Sequence, residues 1–158
     1  MKKFLGIIVL GFLWCNISVA GDYDSTLKKL KKANDKEIVE VLNEIIIGLT
    51  HEKNLVDECF EDLKNNKSDE APNTCHKVFE RYHNYITLEK IYLHPSFKNK
   101  LLKLEKKINK GSIEFININD LVTKWSKLSD LTINIDTSYN NVRLKLKKDG
   151  FPLEKNKV

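Results

Sequence analysis

Cys59 and Cys75 stand sixteen positions apart, and the stretch between Lys64 and Asn73 is polar and contains Pro72. Apolar residues recur at helical spacing on both sides of it. Leu55, Cys59 and Leu63 come before, with Val56 and Phe60 beside them; Cys75, Val78, Tyr82 and Ile86 come after. Once oxidised, cysteines so placed staple an αα-hairpin close to its bend and commit the two helices to run antiparallel. Loop-closure entropy makes such a bridge worth about 3 kcal/mol. The chain has no CxxC pair, no CxxCH and too few cysteines for a four-thiolate zinc site. The pair is therefore assigned to structure, not to redox, haem or zinc chemistry.

The N-terminus supplies the oxidising address that this staple needs. Lys2 and Lys3 precede an apolar or glycine run from Phe4 to Trp14, and Ser18-Val19-Ala20 places small residues at −3 and −1 of a cut. That order predicts a secretory signal peptide over residues 1–20, cleaved near Ala20, and a periplasmic or secreted product. Eleven residues at 1.5 Å each cannot cross a hydrocarbon core of about 30 Å, so an uncleaved anchor is not expected, and no transmembrane span is expected in the mature chain either. A lipid-modified Cys15 is the rival processing, and Trp14 before it is a poor fit.

The remaining pattern is mostly helical. Ser25 is a candidate cap for a short helix, and Asn34 with Glu37 three positions on forms a capping-box start. Ile38, Leu42, Ile45 and Leu49 then repeat at helical spacing; Gly48 and Thr50 leave open whether residues 35–65 form one helix or two. A helix from Cys75 should end by His94, ahead of Pro95, with Ser96 as the next cap. Phe97, Leu101, Leu104 and Ile108 give the clearest helix, closed by Gly111 at C′. A last helix starts near Asn119 or Asp120 and buries Leu121, Val122, Trp125 and Leu128.

Beyond it the apolar period changes to two. Leu131, Ile133 and Ile135 alternate with polar residues, as do Val142, Leu144 and Leu146, with a turn-like Thr137–Asn141 between them. This predicts a β-hairpin, to which Ile113 and Phe115 could add a third strand. The expected fold is mainly α: five to six helices in one domain over residues 21–149, a stapled αα-hairpin, a small C-terminal β-hairpin and a flexible basic tail at 150–158.

No motif fixes an activity. GxSxG, P-loop and GxGxxG patterns are absent, and four glycines after Ala20 supply little for a phosphate-cradling loop. The acidic pairs Asp57/Glu58, Glu61/Asp62 and Asp69/Glu70 suit a solvated surface. Tyr82, Tyr85, Tyr92 and Trp125 suit a core better than a ligand groove. His76, Glu80 and His83 fall at i, i+4 and i+7 of one helix, with ligand types that zinc accepts, but without HExxH or a fixed fourth ligand. A small periplasmic enzyme or metal-binding protein centred on these three is the alternative reading; no cofactor is implied.

Charge is more informative. The whole chain carries +5, yet residues 21–96 carry −4 and residues 97–158 carry +7. Lys103, Lys106, Lys107 and Lys110 crowd the polar side of one helix, and Arg143, Lys145 and Lys147 are expected on one face of a strand. For an exported chain these point to an anionic envelope component or an acidic protein. Nucleic acid is a poor partner, since aromatic residues are not interleaved with the lysines. The expected function is a non-enzymatic periplasmic or envelope interaction module.

Overall fold

The computed structural model describes residues 23–65 and 71–151. Residues 1–22, 66–70 and 152–158 lie outside the described residues, and with them the expected signal peptide and most of the expected tail. Five helices occur among the described residues: α1 (Tyr23–Lys32), α2 (Asp35–Asn65), α3 (Asn73–Leu93), α4 (Pro95–Asn109) and α5 (Ile118–Lys148). No helix is long and apolar enough to cross a membrane, among the described residues.

Residues 35–65 form one helix of 31 residues. Its start is the expected capping box: the Asn34 side chain accepts from the amides of Lys36 and Glu37, and Glu37 accepts from the Asn34 amide at 2.6 Å. Thr50 does not break the helix, because its hydroxyl bonds back to the Ile46 carbonyl at 2.7 Å. Gly48 marks a close approach, since a Cβ there would lie 2.9 Å from Leu88 of α3.

α2 is the central element and packs along α3 on one side and α5 on the other. Ile38, Leu42, Ile45, Leu49, Val56, Cys59 and Leu63 are buried along it. Full burial of one such aliphatic side chain contributes about 1.5–3 kcal/mol, so this double cover dominates the stability. Cys59 and Cys75 are bonded, with Cα atoms 4.8 Å apart, and fix α3 antiparallel to α2 beside the bend. Thr74 donates to Asp62 at 2.7 Å across the same corner.

The helix boundaries follow local chemistry. α3 stops at Leu93, ahead of Pro95, as expected. The cap of α4 is His94 and not Ser96, since the His94 ring accepts from the Ser96 amide at 3.1 Å. Ser25 likewise lies inside α1, which begins at Tyr23. Gly111, at φ 66°, closes α4 with paired bonds from the Gly111 and Ser112 amides to the Ile108 and Lys107 carbonyls. Gly150, at φ 81°, closes α5 in the same way, and Phe151 folds back onto the core. Residues 150 and 151 therefore belong to the cap of α5 and not to a loose tail.

The C-terminal β-hairpin is not formed: residues 131–147 lie within α5, and no strand occurs among the described residues. The period-two reading mixed two sets of residues. Leu128, Leu131, Ile135, Tyr139, Val142 and Leu146 are buried at steps of three and four, whereas Ile133 and Leu144 face solvent. Tyr139, inside the stretch expected to turn, keeps the helical stripe continuous. Hydroxyls of Thr132 and Thr137 bond to carbonyls four residues back, so these β-branched residues are satisfied within the helix. Packing against α2 outweighs the lower helix propensity of the β-branched residues, which costs at most about 0.7 kcal/mol per residue. Nor do Ile113 and Phe115 form a strand: Ile113 packs partly buried on the core, and Phe115 is exposed under the Lys36 ammonium.

Two measurements test this architecture. The Cys59→Ala/Cys75→Ala double variant should lose about 3 kcal/mol in urea unfolding, the closure entropy of a loop this short. Asn140→Pro, at an exposed position in mid-helix, should cost about 3 kcal/mol or more and lower helical ellipticity. A turn at Thr137–Asn141 would accept that proline with little loss.

Candidate functional site

Buried residues divide into two clusters along the bundle. One gathers α1, α4 and the halves of α2, α3 and α5 around them; the other surrounds the disulfide with Val56, Leu63, Val78, Val142 and Leu146. Between them lies a polar and aromatic layer. Arg81 of α3 donates to the buried Glu52 carboxylate of α2 at 2.6 Å. The Tyr85 hydroxyl donates to Asp136 of α5 at 2.5 Å. Tyr82 stacks on Tyr139 with ring centroids 4.3 Å apart, and Phe79 meets Tyr139 edge-on. Thus α3 and α5 meet mainly through these long side chains and seldom by close backbone approach.

This layer holds its phenols neutral. Burial raises Tyr85 well above the ordinary phenol range, reinforced by its hydrogen bond to Asp136 and by Glu89. Burial and Tyr82 push Tyr139 up to about 12, against a lowering influence of Arg143. Glu89 is raised by burial and then by the Asp136 charge, with Tyr85 opposing. These groups are shared between hydrogen bonds and stacking that join α3 to α5, and they act as a structural bridge.

A concave site lies at the other end, between α4 and the start of α5. Phe97, Leu101 and Leu104 turn one face of α4 into the core. Leu102 and Lys98, four residues apart, stand on the next face outward. On α5, the Asn117 side chain accepts from the Asp120 amide at 2.8 Å and sets the helix entry. Leu121 is buried, and Trp125 packs on Tyr92 with centroids 5.1 Å apart. Val122, expected in the core, is exposed instead. The result is a groove of about 350 Å³ walled by Leu101, Leu102, Ile118, Leu121, Val122 and Trp125, with Lys98 and Glu105 at its sides. Its walls hold no histidine, cysteine or serine. Such a mainly apolar groove, with one amine and one carboxylate at its sides, has the make-up of a binding site.

The lysines of α4 divide by use. Lys100 donates to the Ala33 carbonyl at the end of α1, and Lys107 pairs with Asp35 at 2.6 Å; both fasten α4 to the N-terminal end of the bundle. Lys98, Lys103, Lys106 and Lys110 are exposed, and no hydrogen bond or ion pair holds them among the described residues. Arg143, Lys145 and Lys147 are not on a strand face. On a helix, Arg143 and Lys147 share a side, while Lys145 points elsewhere and pairs with Asp149 at 2.8 Å. From Val122 to Lys147 the helix rises about 37 Å. The two basic groups therefore sit at opposite ends of α5 and form no common patch.

His76, Glu80 and His83 all project from the exposed side of α3, where His83 Nδ1 lies 3.1 Å from the Glu80 carbonyl. Among the described residues, no group of three or more His, Cys, Asp or Glu side chains is arranged to hold a metal ion. Of the acidic pairs, Asp57 binds Lys53 and the Ser138 hydroxyl, and Glu61 pairs with Lys64. No family model, curated protein or solved structure matches the chain.

The polar layer yields a pH signature. Because folding raises the Glu89 pKa, the native state binds more protons than the unfolded chain above about pH 4.5, and Glu89 then lowers stability as pH rises. Glu89→Gln should raise the melting temperature at pH 7, with the gain disappearing as pH falls below about 4. Thermal unfolding followed by circular dichroism across this range reads the crossover.

Proposed function

We propose that this protein is an exported, non-enzymatic interaction module of the periplasm or envelope. It presents the lysine face of α4 to an anionic envelope component or an acidic protein. Export rests on the leader over residues 1–20 and agrees with a disulfide between the two cysteines that follow it. The observation that carries the binding reading is the separation of roles on α4. Two lysines are used inside the fold, and four others stand free on a helix whose opposite face is locked into the core. From Lys103 to Lys110 is about 10.5 Å of rise, close to one Debye length, so their fields overlap at physiological salt.

The chemistry expected of such a face is salt-dependent attraction of phosphate or carboxylate groups, without a covalent step. At an anionic membrane each lysine contributes about 1 kcal/mol. Vesicles rich in phosphatidylglycerol should therefore co-sediment with the protein at low salt and release it on the order of 0.5 M salt. Lys103→Glu/Lys106→Glu/Lys110→Glu should weaken that binding by about a hundredfold or more. Arg143→Glu/Lys147→Glu, at the far end of α5, should weaken it less. Equal loss in both variants, or no binding at low salt by the unaltered protein, overturns the reading.

A further inference from the structure

The groove between α4 and α5 has a regular cross-section. Leu101 and Leu102 are neighbours on α4, as are Leu121 and Val122 on α5. In each pair the first side chain is buried, at 6%, and the second is exposed, at 53% for Leu102 and 59% for Val122. Successive helical residues project about 100° apart, so the buried leucines form the floor and Leu102 and Val122 form the two lips. The ends of the groove differ in charge. Trp125 packs on Tyr92, which precedes Lys98 by six residues across the short break at His94, and this places Trp125 and Lys98 at one end. Glu105 stands about 10.5 Å further along α4, and Asp120 lies in the first turn of α5 beside Ile118.

We infer that this groove holds the chain of a single-chain anionic amphiphile, a fatty acid in the simplest case, with the acidic head at Lys98 and the tail toward Glu105. The inference rests on the function proposed above only for the sign of the ligand's charge. The walls set the apolar part, since six of the eight residues around the groove are apolar. A methylene fills about the room of a water molecule, roughly 30 Å³, so 350 Å³ accepts one chain of about twelve carbons. A two-chain phospholipid carries more than twice that number and does not fit.

Charge sets the direction of the chain. Lys98 is exposed and makes no hydrogen bond or ion pair among the described residues, so its ammonium is available to a carboxylate or phosphate. Glu105 and Asp120 disfavour the reverse orientation, which would set an acidic head among like charges. Lys106 follows Glu105 in sequence but projects about 100° away, onto the outer face of α4. Trp125 suits the head end, because an indole offers apolar area to the chain and an N–H to the wet side.

Trp125 reports on its own site, since the only other tryptophan is Trp14. In a Trp14→Phe background, dodecanoate below its micelle concentration should shift Trp125 emission and saturate below about 1 mM. Each methylene removed should weaken binding about two- to threefold, short of the roughly fourfold of full burial because one side of the groove is open. Bromine beside the carboxylate should quench Trp125 more than bromine at the far end of the chain. Leu102→Asp and Val122→Asp should each weaken binding about tenfold or more, with thermal melting unchanged because both positions are exposed. Lys98→Glu should weaken dodecanoate about fivefold and strengthen dodecyltrimethylammonium. No saturable response, equal binding of dodecyltrimethylammonium by the unaltered groove, indifference to chain length or the reverse order of bromine quenching overturns the inference. Vesicle binding through Lys103, Lys106 and Lys110 without dodecanoate binding defeats the groove alone. Dodecanoate binding without vesicle binding sustains the groove and removes the membrane reading.

Discussion

α2 must be covered along two sides, and the rest of the fold answers to that constraint. Its 31 residues carry apolar side chains at steps of three and four from Ile38 to Leu63, and no single helix can shield all of them. α3 takes one side, tied by the disulfide at the bend and brought close at Gly48 and Leu88. α5 takes the other with no covalent tie, held by its buried stripe and by polar links such as Lys124 to Asn43. α1 and α4 close the end that the hairpin leaves open, and Lys107 to Asp35 and Lys100 to Ala33 fasten them there.

The third contact, between α3 and α5, is of a different kind. Tyrosines and a carboxylate bridge the two helices, so the seam contains Tyr85 to Asp136 and the Tyr82–Tyr139 stack in place of interlocked aliphatics. These long side chains let two helices bracket a third without being drawn into close contact. Satisfied polar groups at such a seam specify its alignment, because sliding α5 by one turn would strand Tyr85 and Asp136 without partners. The cost is visible in Glu89, whose carboxylate is disfavoured by burial and by Asp136.

The layer also separates the ends of the molecule. The groove and the free lysines of α4 lie on one side of it, and the disulfide, Arg143 and Lys147 on the other. The positive balance of residues 97–158 is therefore two separate features about a bundle length apart. Only the one on α4 adjoins a concave apolar surface.

Local chemistry was legible in the sequence wherever a few neighbouring residues decide it. The Asn34–Glu37 capping box, the stop before Pro95, the Gly111 cap and the Cys59–Cys75 staple each depend on contacts within about one turn or across one short bend. The identity of residues 131–147 was not, because alternating and helical apolar patterns coincide there and Tyr139 alone joins the helical stripe across its polar middle. Whether Val122, Ile133 and Leu144 face inward or outward is set by which side of α5 meets α2. The groove likewise needs α4 laid against α5. The sequence by itself determined the Asn34 start, the stop before Pro95 and the Gly111 end, since the backbone hydrogen bonds there are satisfied locally. Only the tertiary structure decided which faces are hidden and which remain available, since burial belongs to pairs of distant surfaces.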